Sequence, residues 1–323
     1  MNPKNFIISA DAGIGNNRGL VAAANDSRFA VATYSEPLTN FLVGVLGTDL
    51  AALRAELELL APGVRVGRRF EFKKNKADTA FLADQDDARA IGSAFSKIAD
   101  SRESVDSHTT NRGLTATLDR DEMLDGDMEQ TVQMLTAILM RNDLVRAVTA
   151  LNTAATNSNK VWDASANPDG DMAADINAAL IARGVAPNTV VAGSTAWLYR
   201  RAAYEASTKA GALMLGNRTP TEVAAALGVD KFHVSKTIYK AAKGGAKASL
   251  LGNYVFMYFL DQMVSKEDGS NLKRFWSPCE GGEEFRVHVD ESQAKTIDIT
   301  VEQYSQIIAV DSGGIRKFTV SQS

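Results

Sequence analysis

The chain has 323 residues, a formal net charge of −4 and one cysteine, with 45% hydrophobic and 23% charged residues. That length has room for two or three compact units around a substantial core, and the composition excludes a disordered or collagen-like chain. The mild acidity argues against nucleic-acid affinity from bulk charge, and Cys279 alone cannot form an intramolecular disulfide. The apolar runs Phe6-Ile7-Ile8 and Leu250–Leu260 are too short for a secretory core or a ~20-residue membrane span, so no membrane partner is expected.

Residues 1–63 read as an arm. Its turn-rich stretch contains Gly13 and Gly15, but Arg18 stands where a dinucleotide loop needs its third glycine, and no βαβ context follows. Near its end, Asp49–Leu60 carries Leu50, Leu53, Leu57 and Leu60 on one helical face, stopped by Pro62-Gly63.

Residues 64–118 read as an extended hairpin. Val64, Val66, Phe70 and Phe72 predict one strand, and the β-prone run Leu114–Leu118 the returning strand. The intervening insert, Lys73–Thr110, is polar and charged, with too little apolar surface for a core of its own, which predicts contact with another molecule. Arg65, Arg68, Arg69, Lys73, Lys74 and Lys76 crowd the first strand against the single acid Glu71.

Asp119-Arg120-Asp121-Glu122 has the spacing of a capping box and predicts a helix start. Met128, Val132, Leu135, Ile138, Leu139, Val145, Val148 and Leu151 then recur at helical steps with no proline, predicting one helix over Asp127–Thr153, about 40 Å long. The other predicted helices, Asp49–Leu60, Met172–Arg183, Ser194–Ser207 and Thr221–Leu227, are short, so the long one reads as a strut and not as a bundle member. Asp119, Asp121, Glu122, Asp125, Asp127 and Glu129 crowd its start against one base, Arg120, complementing the basic strand. Acids also favour a helix N-terminus through its dipole, which explains one patch without the other.

Residues 165–290 have mixed α/β character. Asp171–Gly184 predicts an amphipathic helix ended by glycine, Thr189–Gly193 a short buried strand, and Ser194 the cap of the next helix. Tyr254–Phe259 reads as a central strand, while Lys209–Arg218 and Ala241–Ala248 read as exposed tips. In the tail, Ile297, Ile299 and Val301, then Ile308 and Val310, a turn at Asp311–Gly314 and a return through Ile315 and Phe318 predict a β-hairpin beside the long helix.

Nothing in the residues specifies catalysis, a metal or a cofactor. His108, His233 and His288 lack paired ligand spacing, and no nucleophile-elbow, phosphate-loop or zinc-helix motif occurs. Thr219–Ser235 imitates a helix-turn-helix followed by lysines, but Phe232, Val234 and Ile238 alternate as in a strand.

The order of parts resembles the major capsid proteins of tailed bacteriophages, whose α+β fold is the Hong Kong 97 type. The resemblance rests on the glycine-rich arm, the long basic hairpin, the long helix ending in Asn157–Asp163, then Gly184–Val191, Leu227–Lys231 and Ile307–Val320. It implies an N-arm over 1–63, an E-loop over 64–118, a P-domain over 119–165 with return strands at 291–323, and an A-domain over 166–290. It further implies copies of the chain as hexamers and pentamers in an icosahedral virion shell, assembled in the bacterial cytoplasm around double-stranded DNA held by non-specific contact. Portal, separate scaffold and decoration proteins are the implied partners, no helical leader being seen before the arm. The expected contacts between subunits pair Arg65, Arg68, Arg69, Lys73 and Lys74 with Asp119, Asp121, Glu122 and Asp125. The alternatives are an encapsulin-like compartment shell, a helix-turn-helix regulator and an oxidoreductase using Gly13 and Gly15.

Overall fold

A computed structural model describes residues 33–46, 50–74, 103–240, 244–261, 265–280 and 282–322. The first elements are β1 (Thr33–Tyr34), α1 (Glu36–Leu46), α2 (Ala51–Leu60), β2 (Gly63–Arg65), β3 (Arg69–Lys74), β4 (Glu103–His108) and β5 (Thr110–Asp119). The long helix α3 (Asp127–Ala154) follows, then β6 (Thr156–Val161), α4 (Pro168–Arg183), β7 (Thr189–Gly193), α5 (Ser194–Ala206), α6 (Ala212–Gly216) and α7 (Pro220–Leu227). The remainder is strand: β8 (Lys231–Ser235), β9 (Ile238–Lys240), β10 (Lys247–Ser249), β11 (Tyr254–Tyr258), β12 (Leu272–Ser277), β13 (Phe285–Asp290), β14 (Thr296–Ala309) and β15 (Arg316–Ser321).

Helix α3 forms over the predicted span because its buried residues fall at helical steps, and it joins two cores. Its first half packs Val132, Leu135 and Leu139 against Leu38 and Leu42 of α1 and Ile297, Ile299 and Val301 of β14. Its second half packs Leu144, Ala147, Val148 and Leu151 against Leu57 and Leu60 of α2 and against Val191, Phe256 and Leu272. Each such buried aliphatic contributes about 1.5–3 kcal/mol. The two sets lie on successive turns of one rod, so α3 is the strut that its length predicted.

Two main sheets flank it. In the larger, β14 pairs antiparallel with β5 along one edge and with β13 and then β12 along the other, while β1 and β2 extend the sheet beyond β13 and β12. The smaller has the order β6-β15-β11-β7-β8, with β11 central as predicted. Strands β7 and β11 alternate between its two faces: Val191 and Phe256 join the α3 side, while Val190, Val255 and Met257 join a third core with Trp162, Met172 of α4, Ala196 of α5 and Val223 of α7. Gly193 fits where β7 turns into α5 because a Cβ there would lie 2.1 Å from the Gly252 carbonyl oxygen. That carbonyl accepts the Thr195 and Ala196 amides, each at 3.2 Å, and so satisfies the start of the helix.

Several expectations are corrected. The capping box at Asp119–Glu122 does not form: Asp119 ends β5, its carboxylate accepts the Asp121 amide at 3.0 Å, and α3 begins after Gly126, whose φ of 93° suits glycine. Ser194 is the first helical residue and not the cap, the cap position being Gly193. The returning strand of the 64–118 hairpin is β4 and not Leu114–Leu118, which instead lies in β5 against β14. The tail is no hairpin either, since β14 and β15 enter different sheets and Asp311–Gly314 carries the chain between them. The tip expected at Lys209–Arg218 contains α6. Within the expected arm, residues 36–46 and 51–60 are two helices packed on the core. The second is tied in by the buried Arg274, which donates to Glu284 and, at 3.1 Å, to Glu58. Burial opposes the Arg274 charge, yet the Glu284 and Glu58 carboxylates raise its pKa above the ordinary arginine value. The larger sheet joins β12 and β13 to β14, and β6 and β15 join the smaller sheet.

Asp143 pins α3 to β14. Fully buried, it accepts from Arg146, from Gln303 Nε2 at 2.9 Å and from the Ser305 hydroxyl at 3.4 Å. Replacing a partner of buried polar groups leaves the others unsatisfied. Asp143→Ala should therefore lower the unfolding free energy of the subunit by about 3 kcal/mol in chemical denaturation, against under 1 kcal/mol for the exposed Asn142→Ala. Cys279, 4% exposed after β12, has its thiol pushed up to about 12, by burial first and the Glu302 charge second. A native sample at pH 8 should thus leave this thiol unreacted with an aromatic disulfide reagent, and guanidinium should release one reactive thiol per chain.

Candidate assembly interface

The root of the 64–118 segment is held by aromatic packing. In β3, Phe70 and Phe72 alternate with Arg69 and Glu71, so one face is apolar and the other charged. Their rings sit on Phe275 at centroid distances of 4.5 and 5.5 Å, within a core that includes Val64, Val66 and Val310. Between β4 and β5, the buried Thr109 shares a 2.8 Å hydrogen bond with the Ser277 hydroxyl, and its amide donates to the Arg68 carbonyl at 2.9 Å. The chain from β4 into β5 is thereby one extended ribbon, bent at Thr109, whose first half pairs with β3 and whose second half pairs with β14.

The bases expected to meet a neighbour fall into two groups. Arg65 lies over the Trp276 ring at 5.8 Å, and Arg68 over the Tyr304 ring at 4.2 Å. Asn111 donates to the Tyr304 hydroxyl at 3.1 Å, and burial raises the pKa of that phenol. Arg69 is exposed and makes no ion pair among the described residues. Strand β4 moderates the basic patch, because Lys74 stands opposite Glu103, Lys73 opposite Ser104, and Glu71 opposite Asp106. Lys76 lies outside the described residues. Reading β3 alone missed these acids, which become neighbours only through the pairing. It also missed the Tyr304 seat, more than two hundred residues away from Arg68 in sequence.

The acids gather at the turn between β5 and α3. Asp119 is exposed at the end of β5, opposite Thr296. Asp121 pairs with Lys295 at 2.7 Å and Arg120 with Glu291 at 3.2 Å, both at the surface. Asp127 accepts the Leu124 amide at 2.8 Å, and with Glu129 it occupies the first turn of α3, where the helix dipole favours negative charge. Glu122 and Asp125 are exposed and have no ion pair among the described residues, and Leu124 between them is 74% exposed.

The two patches do not meet within the chain. Arg68 stands over Tyr304, while Asp119 is opposite Thr296 of the same strand. The eight positions between them span about 26 Å at ~3.3 Å per residue. That is well beyond a Debye length of ~8 Å at physiological ionic strength, so neither patch screens the other.

No group of three or more His, Cys, Asp or Glu among the described residues could hold a metal ion. His288 shares a 3.0 Å hydrogen bond with Glu302. Burial pushes the Glu302 carboxyl up, but hydrogen bonds from His288 and Asn111 outweigh this and leave it below the ordinary carboxylate value. The region that imitates a helix-turn-helix is α7, with Thr219 and Glu222 capping each other, followed by β8 paired to β7. A strand stands where a recognition helix would have to be. Gly13 and Gly15 lie outside the described residues.

No protein-family model matches the chain, nor does any curated protein sequence. Among solved structures it is similar to a phage-related protein from Bordetella bronchiseptica RB50, with TM-score 0.64 and 14% identity over 89% of this chain and 97% of that one. It is also similar to the capsid protein of the cyanophage P-SCSP1u, with TM-score 0.50 and 10% identity over 82% of this chain and 88% of that one. These likenesses cover most of each chain. The chain therefore has the α+β capsid fold of the Hong Kong 97 type.

Proposed function

We propose that this chain is a phage major capsid protein whose copies form hexamers and pentamers and close into an icosahedral virion shell around double-stranded DNA. The observation that carries the reading is the separation of two complementary patches along one rigid ribbon, Arg68 and Arg69 at one end and Asp119, Glu122 and Asp125 at the other. A single subunit cannot bring them together, whereas a ring of copies can. Each contact is modest, since exposed ion pairs are worth only ~0–1 kcal/mol. A subunit that holds several neighbours at once nevertheless gains by effective concentration, so the closed shell persists while single contacts stay reversible during assembly.

In this reading residues 1–63 act as the N-arm and 64–118 as the E-loop reaching a neighbour. Residues 119–165 with 291–323 form the peripheral P-domain, and 166–290 the A-domain at the capsomer centre. The work is done by interfaces and not by catalysis. The β3–β4 hairpin can shift while α3 and the two main sheets stay rigid, which permits a change of shell shape during maturation. Scaffold, portal and decoration proteins belong to the same proposal.

Size-exclusion chromatography followed by negative-stain electron microscopy tests it: the full-length chain should yield closed particles whose absorbance reports packaged nucleic acid when they are taken from infected cells. DNA-free particles holding a protein cargo would instead identify a compartment shell. The paired reversal Arg68→Glu with Arg69→Glu should cut particle yield at least tenfold while leaving the subunit folded, and adding Glu122→Lys with Asp125→Lys should restore part of it. Unchanged yield in the first variant would discard this pairing.

A further inference from the structure

A second charged surface lies away from the patches above. The solvent face of α3 and the small β9–β10 sheet enclose a groove of about 690 Å³ whose lining includes Ile138, Arg141, Val145, Tyr239, Lys240 and Lys247. Lys240 and Lys247 are register partners in an antiparallel pair, so their side chains leave the same face side by side. Like charges directly opposite each other on adjacent strands are unfavourable. Both lysines are exposed, as is Arg141 across the groove, and none of the three has an acidic partner among the described residues. The stretch 236–247 contains no acid at all, in a chain whose net charge is −4.

From this arrangement we infer that the groove is a phosphate-backbone contact for the enclosed nucleic acid, with Arg141, Lys240 and Lys247 neutralising successive phosphates. Duplex DNA presents one charge per ~1.7 Å of its axis, a density that satisfies adjacent lysines together. The three cations suit phosphate oxygens, which carry no sequence information, so the contact is indifferent to sequence. The inference rests on the shell reading, because it supplies the chemistry by which an acidic chain holds an acidic polymer.

The test measures binding of a fluorescein-labelled, random-sequence 30-base-pair duplex to the full-length chain before shell closure, from 50 to 200 mM salt, for wild type and for Lys240→Ala with Lys247→Ala. Losing two phosphate contacts should flatten the slope of log affinity against log salt by about 1.8 and weaken binding at 100 mM salt roughly 60-fold. Particle formation by the double variant should be unaltered, and Arg68→Glu with Arg69→Glu should keep its DNA affinity. An unchanged affinity and slope would overturn the inference. So would a wild-type chain that binds a poly-glutamate peptide but not the duplex, an outcome that assigns the groove to an acidic protein partner. Failure of the wild type to form particles counts against the shell reading alone and leaves the DNA measurement interpretable.

Discussion

A fourteen-residue strand paired along both edges cannot shift its register without moving three other strands, and β14 is such a strand. Its alternation sends Ile297, Ile299 and Val301 to one face, where the first half of α3 lies across them. Asp143 then ties the helix to Gln303 and Ser305 on the same strand through buried hydrogen bonds. Helix, strand and ribbon thus form one rigid frame. A slip by one residue would turn the buried face of β14 to solvent and strand the carboxylate.

The frame is made from ordinary parts. Because α3 contributes to two cores, it packs against both the larger and the smaller sheet. The ribbon is the complementary device. The Phe70, Phe72 and Phe275 cluster fixes the root of the β3–β4 hairpin, and β5 continues from it along β14. Rigidity at the root places a projecting element accurately, and accuracy is what repeated contact between identical copies requires.

Net charge conceals the electrostatics of this molecule. A formal charge of −4 suggests a nearly uniform acidic surface, yet Arg68 and Arg69 stand at one end of the ribbon and Glu122 and Asp125 at the other, and a lysine couple with no acidic partner among the described residues sits beside α3. Segregation over distances longer than the screening length leaves each patch available to a partner, whereas the same charges interleaved would be satisfied internally. Within the chain the buried pairs are structural: Arg274 with Glu58 and Glu284, and Arg183 with Asp311 at 2.7 Å, tie segments distant in sequence.

The amino-acid sequence by itself determined what depends on near neighbours. Helical spacing from Val132 to Leu151 sufficed for α3, short continuous apolar runs sufficed for β7 and β11, and Gly184 marked the end of α4, because each signal is carried by residues within a few positions of one another. The charge of the patches was legible for the same reason. Only the tertiary structure decided which strands pair: it gave β4 to β3, set Leu114–Leu118 against β14, and sent β14 and β15 into different sheets. It also seated Arg68 on Tyr304, placed acids of β4 beside the bases of β3, and turned the start of the long helix into a turn at Asp119. Those outcomes follow from packing and hydrogen bonding between segments as much as two hundred residues apart and more, where local propensity is silent and the burial of shared faces chooses the partner.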